Sequence, residues 1–305
     1  MTGGEQQREI AAIGAGYAVS AGDVRIFYRT FGEAGNAAAD DAGDNAGRPM
    51  IICLHGFPDD HRTWRPIRTT LAERFFIVTP DLRGYSSSGK PDGVDNYRWE
   101  ALVGDVIALM DHFGREKTIL LGHDWGAAIA QQVACRHRDR VDRLILLNMP
   151  HLNGLQRELA TNPRQQKASA YARLLQNEVR LGPYDLDTLR RQMTTGGGRG
   201  RGRGLSMTLD VLRKSDWTAL LNYYRANYPR PPYRFDGTSP RSIIDVPTLI
   251  LFGLDDPWVL ADGLRDNGRW FTHPLKVVTV ARAGHWVHFD EPELVAGTIL
   301  LWLDG

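Results

Sequence analysis

The sequence predicts an α/β fold: a mostly parallel sheet flanked by helices, with a helical cap inserted between two of the strands. Short apolar runs rich in β-branched residues alternate with amphipathic segments of helical period, which is the pattern of successive βαβ units. The runs are apolar throughout, as expected for strands covered on both faces. The alternation lapses between about Pro150 and Arg241, where the segments are typical of helices and loops.

Buried strands and two clear helices follow from this pattern. The strands are predicted at Met50–His55, Phe75–Thr79, Thr118–Gly122, Arg143–Met149, Thr248–Gly253 and Lys276–Val280. The helices are predicted at Trp99–Phe113 and Pro292–Leu303. Upstream, Tyr17–Ser20 and Val24–Phe31 predict an antiparallel hairpin that turns at Ala21, Gly22 and Asp23.

The lapse in alternation divides the chain into two predicted units. Residues 1–149 and 244–305 form the α/β core, and residues 150–243 form the cap between the turn-prone segments NMPHLNG and YPRPPYRFDGTSPRS. Gly32–Gly47 and Gly196–Gly204 are predicted to be poorly ordered. The second is an Arg-Gly repeat, a composition that can bind RNA. Because it is short and lies in a neutral chain, a flexible cap loop is the favoured interpretation.

Composition and charge limit the possible partners. The 305 residues suffice for two structural units or one large one, and 42% hydrophobic with 24% charged residues is typical of soluble globular proteins. With 37 basic and 36 acidic residues, the net charge of +1 gives no field that would concentrate nucleic acid or anionic lipid. We therefore expect no nucleic-acid partner.

The cysteines and the N-terminus predict a cytoplasmic protein. Cys53 lies in an apolar run and Cys135 in a helical segment, and both settings suit buried thiols better than a disulfide. The N-terminal residues lack a basic start followed by an apolar stretch, and no run of about 18 apolar residues occurs. We expect neither an export signal nor a membrane partner.

A candidate nucleophile follows the third buried run. TILLG leads into GHDWG at residues 122–126, and the helix-like segment AAIAQQVAC comes next. Small residues on both sides of Asp124 fit a strained strand-to-helix turn that lifts its side chain above the sheet edge. The helix N-terminus favours an ionised carboxylate at this place. Taken alone, the motif leaves open that Asp124 is a plain helix cap.

Three further motifs follow other predicted strands. GLDDP places Asp256 just past the end of one strand, with Asp255 as the fallback. ARAGHWVHFDEP places His285 in the last loop before the terminal helix, and HGFPD at residues 55–59 follows the strand MIICL. Sites of open α/β sheets lie at the carboxyl ends of the strands, so these residues are expected to meet Asp124.

Together these motifs resemble the α/β-hydrolase family over essentially the whole chain. The resemblance implies a triad in which Asp124 is the nucleophile, His285 the base and Asp256 the acid that orients the base. It also implies an oxyanion hole formed by the backbone N–H groups of Phe57 and Trp125.

An aspartate nucleophile indicates displacement at an alkyl carbon. A serine would leave an ether, which has no carbonyl for water to attack. Asp124 would leave an ester, which water activated at His285 can hydrolyse. Esterase or peptidase chemistry is disfavoured, because the aspartate would have to form a reactive anhydride.

The predicted cap is similar to that of epoxide hydrolases, of the soluble type without an extra N-terminal domain. Those enzymes use two cap tyrosines to hold and protonate the epoxide oxygen. LLNYYRANY matches their aromatic-Tyr-Arg motif and assigns Tyr224, whereas SAYARLLQ is a looser match and assigns Tyr171. Tyr184, Tyr228 and Tyr233 stay available as alternatives, because a cap tyrosine is often a packing residue.

The alternative function is a haloalkane or haloacid dehalogenase with the same nucleophile. Haloalkane dehalogenases share GHDWG, with Trp125 donating to the halide, yet many have Asn or Glu where this chain has Phe57. Haloacetate dehalogenases have arginines at the positions of Trp125 and Ala128. Asn148, in NMPH, excludes the acid position that some dehalogenases use after that strand.

A second alternative is a non-catalytic binding protein on this fold. Such a protein usually lacks a catalytic residue, and here every expected catalytic residue is present.

The resemblance implies a small-molecule epoxide and water as partners. It implies no organic cofactor and no metal ion, and the sequence contains no His/Cys cluster of metal-binding spacing. The sequence leaves open whether the protein is a monomer or a homodimer, and which epoxide is its substrate.

Overall fold

The computed structural model describes residues 10–32, 48–177, 210–237 and 242–305. Its strands are β1 Gly14–Ser20, β2 Val24–Phe31, β3 Met50–Leu54, β4 Phe76–Pro80, β5 Thr118–His123, β6 Val141–Leu147, β7 Thr248–Gly253 and β8 Leu275–Val280. Its helices are α1 Arg65–Ala72, α2 Trp99–His112, α3 Trp125–Arg136, α4 Leu152–Thr161, α5 Pro163–Ala168, α6 Ala170–Asn177, α7 Trp217–Asn227, α8 Val287–Asp290 and α9 Pro292–Asp304. Residues 210–214 are also helical.

The strands form one sheet in the order β1-β2-β4-β3-β5-β6-β7-β8. All neighbours from β4 to β8 are parallel. β1 and β2 form the antiparallel hairpin, and β2 is antiparallel to β4. The mostly parallel sheet and the N-terminal hairpin are thereby confirmed. Since β3, β5, β6, β7 and β8 are parallel neighbours, the loops that follow them meet at one edge of the sheet.

The core lies on both faces of the sheet. Along β3, Ile52 and Leu54 enter one cluster of buried apolar side chains, whereas Ile51 and Cys53 enter the other. This alternation follows from the period of two in a strand. It also explains why the central strands are apolar at every position, since both faces are covered by helices.

Lys276–Val280 forms a strand as predicted, but the prediction that this strand is buried is wrong. β8 lies at the end of the sheet, and most of its side chains are partly or fully exposed, with Val277 at 40%. An edge strand has one neighbour, so part of its surface stays open. β-branched residues are common in both edge and central strands, so composition does not separate the two.

The ends of β6 also differ from the prediction. The strand covers Val141–Leu147 rather than Arg143–Met149. It stops before Asn148, whose φ of 49° leaves the extended region. The other predicted strands after the hairpin, and the two predicted helices, agree within one residue at each end.

Helices α4 to α7 occupy the described part of the chain between β6 and β7, where the sequence predicts helices and loops. The Tyr223 hydroxyl donates to the Arg83 carbonyl at 2.8 Å, and the Asn227 amide donates to the Tyr97 carbonyl at 2.7 Å, so α7 is bonded to the core. The Gln176 amide donates to the carbonyls of Tyr224 and Tyr228, which joins α6 to α7.

Some predictions concern residues that the structure does not describe. The segment Gly196–Gly204 lies outside the described residues, as does Gly32–Gly47 apart from Gly32. In the described ranges, every helix is too short or too polar to cross a lipid bilayer.

Candidate active site

The turn between β5 and α3 has the strained geometry that its sequence predicts. Asp124 has φ 51° and ψ −120°, values that non-glycine residues rarely adopt, and its side chain makes no helix-capping hydrogen bond. The plain-cap interpretation is therefore wrong. A Cβ built at Gly126 would overlap the Leu54 carbonyl oxygen, and one at Gly122 would overlap the Ala127 backbone. Only glycine lets β3, β5 and α3 approach this closely.

The Asp124 carboxylate lies between a backbone donor and an imidazole. Its Oδ1 accepts from the Phe57 N–H at 2.8 Å, and its Oδ2 lies 3.5 Å from His285 Nε2. The side chain is buried, which alone raises its pKa, but His285 and the Phe57 N–H lower the pKa below its ordinary value. Asp124 is thus an ionised carboxylate in a buried site.

His285 is held by Asp256, as the order of the motifs predicts. His285 Nδ1 donates to Asp256 Oδ2 at 2.6 Å. Asp256 Oδ1 accepts from the Trp258 and Val259 N–H groups at 2.9 and 3.0 Å, so both carboxylate oxygens have donors. Burial alone lowers the pKa of His285, but the charges of Asp256 and Asp124 and its hydrogen bonds to them raise it to about 10. At neutral pH the imidazole therefore carries two protons.

Asn148 is a positioning residue whose role the sequence did not reveal. Its Nδ2 donates to Asp256 Oδ2 at 2.9 Å, and its Oδ1 accepts from the Gly253 N–H at 3.3 Å. From the sequence alone, Asn148 served only to exclude an acid at its own position. Its place directly after β6 is the signal, since β6 is the neighbour of β7, the strand before Asp256. Asp255, the fallback acid, is exposed.

Two further buried residues, His123 and Asp59, contact the loop of His285 and Trp286, and the sequence did not reveal this support. His123 Nε2 donates to the His285 carbonyl at 2.9 Å, and burial lowers the pKa of His123 to about 3, so its ring is neutral. Asp59 accepts from the Trp286 indole at 2.8 Å, and burial raises its pKa to about 7. Both belong to motifs that the sequence analysis quoted, HGFPD and GHDWG, but their partners lie more than a hundred residues away.

The two predicted oxyanion donors, the N–H groups of Phe57 and Trp125, differ in whether they bond to the Asp124 carboxylate in this structure. The Phe57 N–H bonds to Asp124, and its loop comes close because Gly56 has no side chain; a Cβ there would overlap Asp124. Trp125 is the first residue of α3, next to Asp124. Among the described hydrogen bonds, none joins the Trp125 N–H to this carboxylate, so its role as a donor stays a prediction.

Tyr171 and Tyr224 lie together over Asp124 in the same cavity. The cavity has a volume of about 200 Å³ and is lined by all three residues. Tyr224 is 2% exposed, and its ring centroid lies 5.1 Å from that of Trp125 and 6.1 Å from that of Tyr171. Burial raises the pKa of both hydroxyls well above the ordinary value, so both are neutral O–H donors.

The other tyrosines that the sequence left available are engaged elsewhere or undescribed. The Tyr228 hydroxyl makes a hydrogen bond with Ser169, although its ring lines the cavity. Tyr233 accepts a hydrogen bond from Arg173 and is not among the described residues that line the cavity. Tyr184 lies outside the described residues. Of the four candidate tyrosines in the described ranges, Tyr171 and Tyr224 line the cavity and have no bond to Ser169 or Arg173. The Tyr224 hydroxyl bonds to Trp125, at the same cavity.

One group of side chains in the described ranges is close enough to share a cation: Asp60, His61 and Asp81. Its atoms already bond one another and their neighbours. His61 Nδ1 bonds to Asp81 Oδ1 at 2.6 Å, and both Asp60 oxygens accept from the Arg62 guanidinium. None of the three is among the described lining residues of the Asp124 cavity.

A family model and a relative match most of the chain. The model of the alpha/beta hydrolase fold matches residues 49–292. A protein of the AB hydrolase superfamily from Bacillus subtilis (strain 168) is 31% identical over 272 residues, which cover 84% of this chain and 90% of that protein.

Several similar proteins bear the name epoxide hydrolase. Epoxide hydrolase 3 of Xenopus tropicalis is 29% identical over 259 residues, which cover 81% of this chain and 69% of that protein. The crystal structure of a mutant epoxide hydrolase from Bacillus megaterium has a TM-score of 0.80 at 26% identity, covering 95% of this chain and 100% of the other. The similarity therefore includes the sheet and the helices over it.

The strained turn predicts a large cost for a single methyl group. Gly126→Ala is expected to lower the free energy of unfolding by about 3 kcal/mol, because the new Cβ would overlap the Leu54 carbonyl. Gly104→Ala is the control: it lies inside α2 with open space around its Cβ, and it should raise stability by up to about 1 kcal/mol. Urea unfolding measures both, and a G126A protein as stable as the parent would contradict the packing of the turn.

The paired charges predict a shift in the His285 titration. Asp124→Asn is expected to lower the pKa of His285 from about 10, because one of the two carboxylates that raise it loses its charge while the burial that lowers it remains. NMR titration of the imidazole gives the pKa. Asp255→Asn removes an exposed neighbouring charge and should leave the pKa near that of the parent. An unchanged pKa in D124N would show that Asp124 and His285 are not a coupled pair.

Proposed function

The chain belongs to the α/β-hydrolase fold family, and on that premise we propose that it is an epoxide hydrolase that forms a vicinal diol through an ester of Asp124. One observation carries the proposal. An ionised aspartate occupies the turn after β5, with an oxyanion donor on one oxygen, and two tyrosines, Tyr224 buried and Tyr171 partly buried, line the same cavity. The names of the similar proteins support the same activity.

In the first step, Asp124 Oδ2 attacks an epoxide carbon and breaks its bond to the ring oxygen. Oδ1 accepts from the Phe57 N–H at the proposed oxyanion hole and becomes the ester carbonyl oxygen, so Oδ2, which lies 3.5 Å from His285 Nε2, is the nucleophile. The departing oxygen is a basic alkoxide, and it needs a proton donor. Tyr171 and Tyr224 supply O–H groups whose raised pKa keeps them protonated until the alkoxide forms.

In the second step, water hydrolyses the ester. Esterification removes the negative charge of Asp124, which is one of the causes of the high pKa of His285, so that pKa falls. The imidazolium returns a proton, through water, to the tyrosinate that the first step leaves, and the neutral imidazole is then a base. His285 then takes a proton from water as that water attacks the ester carbonyl, while Asp256 orients the ring. The Phe57 N–H, together with that of Trp125, stabilises the oxyanion until the C–O bond to the diol breaks. The departing alkoxide takes the proton of the new Asp124 carboxyl group, which leaves the diol, the Asp124 carboxylate and a protonated His285.

The dehalogenase alternative is weaker for two physical reasons. A halide leaves without a proton and needs only weak N–H donors. A dehalogenase would therefore not require the hydroxyl groups of Tyr171 and Tyr224. The Trp125 side chain is also engaged, in a hydrogen bond with Tyr224. Haloacids would need a cation for their carboxylate, and no Arg or Lys is among the described residues that line the cavity.

The bounds of the cap, the location of the protein, its oligomeric state and its partners remain predictions. We retain the helical cap at residues 150–243 over the core of residues 1–149 and 244–305, a cytoplasmic location and a monomeric or homodimeric state. The proposed partners are a small-molecule epoxide and water. The chemistry proposed here uses protein side chains and backbone donors alone, which fits the expectation of no cofactor.

The tyrosines separate the two candidate functions. Tyr171→Phe and Tyr224→Phe are each expected to lower kcat for styrene oxide by about 100-fold, because the alkoxide loses a proton donor. Tyr233→Phe is the matched control, since this hydroxyl is bonded to Arg173 outside the described cavity lining, and its kcat should stay near that of the parent.

Diol release from styrene oxide and halide release from a 1-haloalkane are measured in parallel on each protein. Diol without halide from the parent is the expected result. Halide without diol would replace the proposed function by the dehalogenase. Unchanged diol release in both phenylalanine variants would overturn the roles given to Tyr171 and Tyr224.

A further inference from the structure

The segment after β7 that supports Asp256 is bonded on two sides. On one side, the N–H groups of Trp258 and Val259 donate to Asp256 Oδ1. On the other side, the segment meets Gln165 of α5. Gln165 Nε2 donates to the Trp258 carbonyl at 2.8 Å, and Gln165 Oε1 accepts from the Leu260 N–H at 2.8 Å. Residues 258–260 are therefore held between the acid of the triad and a helix that comes before β7 in the chain.

One peptide group takes part in both sets of bonds. The Trp258 carbonyl and the Val259 N–H belong to the same planar peptide unit. The carbonyl accepts from Gln165, while the N–H donates to Asp256. Because the unit is planar, the side chain that holds its carbonyl also sets the direction of its N–H. Donation to the carbonyl polarises the unit as well, which strengthens the hydrogen bond from its N–H to the carboxylate.

The side chain of Gln165 is fixed in one orientation. It is fully buried, and the two N–H groups of Nε2 have two acceptors, the Trp258 carbonyl and Ser169 Oγ, each at 2.8 Å. A carbonyl only accepts and a backbone N–H only donates, so a turn of the amide by 180° would break its bonds to both Trp258 and Leu260. Each polar group that lost its partner here would stay buried without a hydrogen bond, which is costly.

Ser169 extends this set of bonds to the tyrosines. It is buried, it directly precedes α6, and it makes a hydrogen bond with the Tyr228 hydroxyl. The ring centroid of Tyr228 lies 5.9 Å from that of Tyr224, and both residues line the cavity. Tyr171 is two residues after Ser169, in the first turn of α6. Buried hydrogen bonds thus lead from Gln165 to the tyrosines of the proposed site.

We infer that Gln165 is a positioning residue for both steps of the reaction. It holds residues 258–260 against Asp256, and through Ser169 it holds the layer of tyrosines that acts in the first step. This inference rests on the proposed function, since it concerns the same two steps. Gln165 is not among the described residues that line the cavity, so it acts through the groups that it places. A displacement of about 1 Å in a reacting group lowers a rate by up to about 100-fold.

The test compares two neighbouring glutamines of α5. Gln165→Met keeps the length of the side chain and removes its three hydrogen bonds. Gln166→Met is the matched control, since Gln166 Nε2 also donates to a backbone carbonyl, that of Leu159, at 2.8 Å. Single turnovers with saturating enzyme in excess over styrene oxide give the rate constant of ester formation from the loss of epoxide and that of ester hydrolysis from the release of diol. We expect both to be about tenfold lower in Q165M and near those of the parent in Q166M.

A smaller change separates the two sets of bonds. Ser169→Ala removes the hydrogen bond with Tyr228 and leaves the bonds of Gln165 to residues 258–260 in place. Ester formation is expected to be about fivefold slower, the effect of about one net hydrogen bond, while ester hydrolysis stays near that of the parent. Ester formation as fast as in the parent would overturn the role given to Ser169.

A proton resonance reports the hold on Asp256 without any turnover. The proton of His285 Nδ1 lies in a 2.6 Å hydrogen bond to Asp256 Oδ2. Protons in such short, charge-assisted hydrogen bonds resonate far downfield. If Gln165 keeps Asp256 in place, Q165M lengthens this bond and moves the resonance upfield, whereas Q166M leaves it unchanged. A loss of stability alone would not move the resonance of the folded protein.

The outcomes keep this inference apart from the proposed function. An active parent with Q165M equal to Q166M in both rate constants and in the proton resonance would overturn the inference and leave epoxide hydrolysis standing. Absence of diol from the parent would count against the epoxide hydrolase and would remove the role of Gln165 in its two steps. A resonance that moves in Q165M alone would support the hold of Gln165 on Asp256 in either case.

Discussion

The structure depends on keeping one carboxylate ionised in a buried site. A buried charge is stable only with a partner of opposite charge and with hydrogen bonds to its remaining atoms. Asp124 has both, through His285 and the Phe57 N–H. Three segments far apart in the chain must therefore meet at one edge of the sheet, and the parallel order of β3, β5, β7 and β8 brings them there.

The same charges account for two different roles of one histidine. While Asp124 and Asp256 are both ionised, His285 is an imidazolium that stabilises the nucleophile. Once Asp124 is an ester, Asp256 is the remaining carboxylate partner, and the pKa of the buried imidazole falls. A neutral imidazole is the base that the second step requires. Asn148 and the N–H groups of Trp258 and Val259 hold Asp256 in place for this role.

The sequence could predict what is fixed by chain order and local geometry. Asp124, Asp256 and His285 each follow a strand, and small residues surround the first of them, so strand recognition marked them as candidates. The order of their motifs, which resembles that of the α/β-hydrolase triad, gave them their roles. The support from Asn148 depends on β6 and β7 being neighbours, which no local pattern states. The exposure of β8 depends on its place at the edge. Among the cap tyrosines, only the three-dimensional structure distinguishes Tyr224, which lines the cavity with Asp124, from Tyr233, which is bonded to Arg173 and is not among the described lining residues.

The most direct test of the ester mechanism is a single turnover in water enriched in oxygen-18, with enzyme in excess over styrene oxide. If Asp124 is the nucleophile, its own oxygen leaves with the diol and water replaces that oxygen. The account therefore predicts an unlabelled diol and one oxygen-18 atom in the peptide that contains Asp124, both read by mass spectrometry. A labelled diol with an unlabelled peptide would mean that water attacks the epoxide directly, and it would contradict the account.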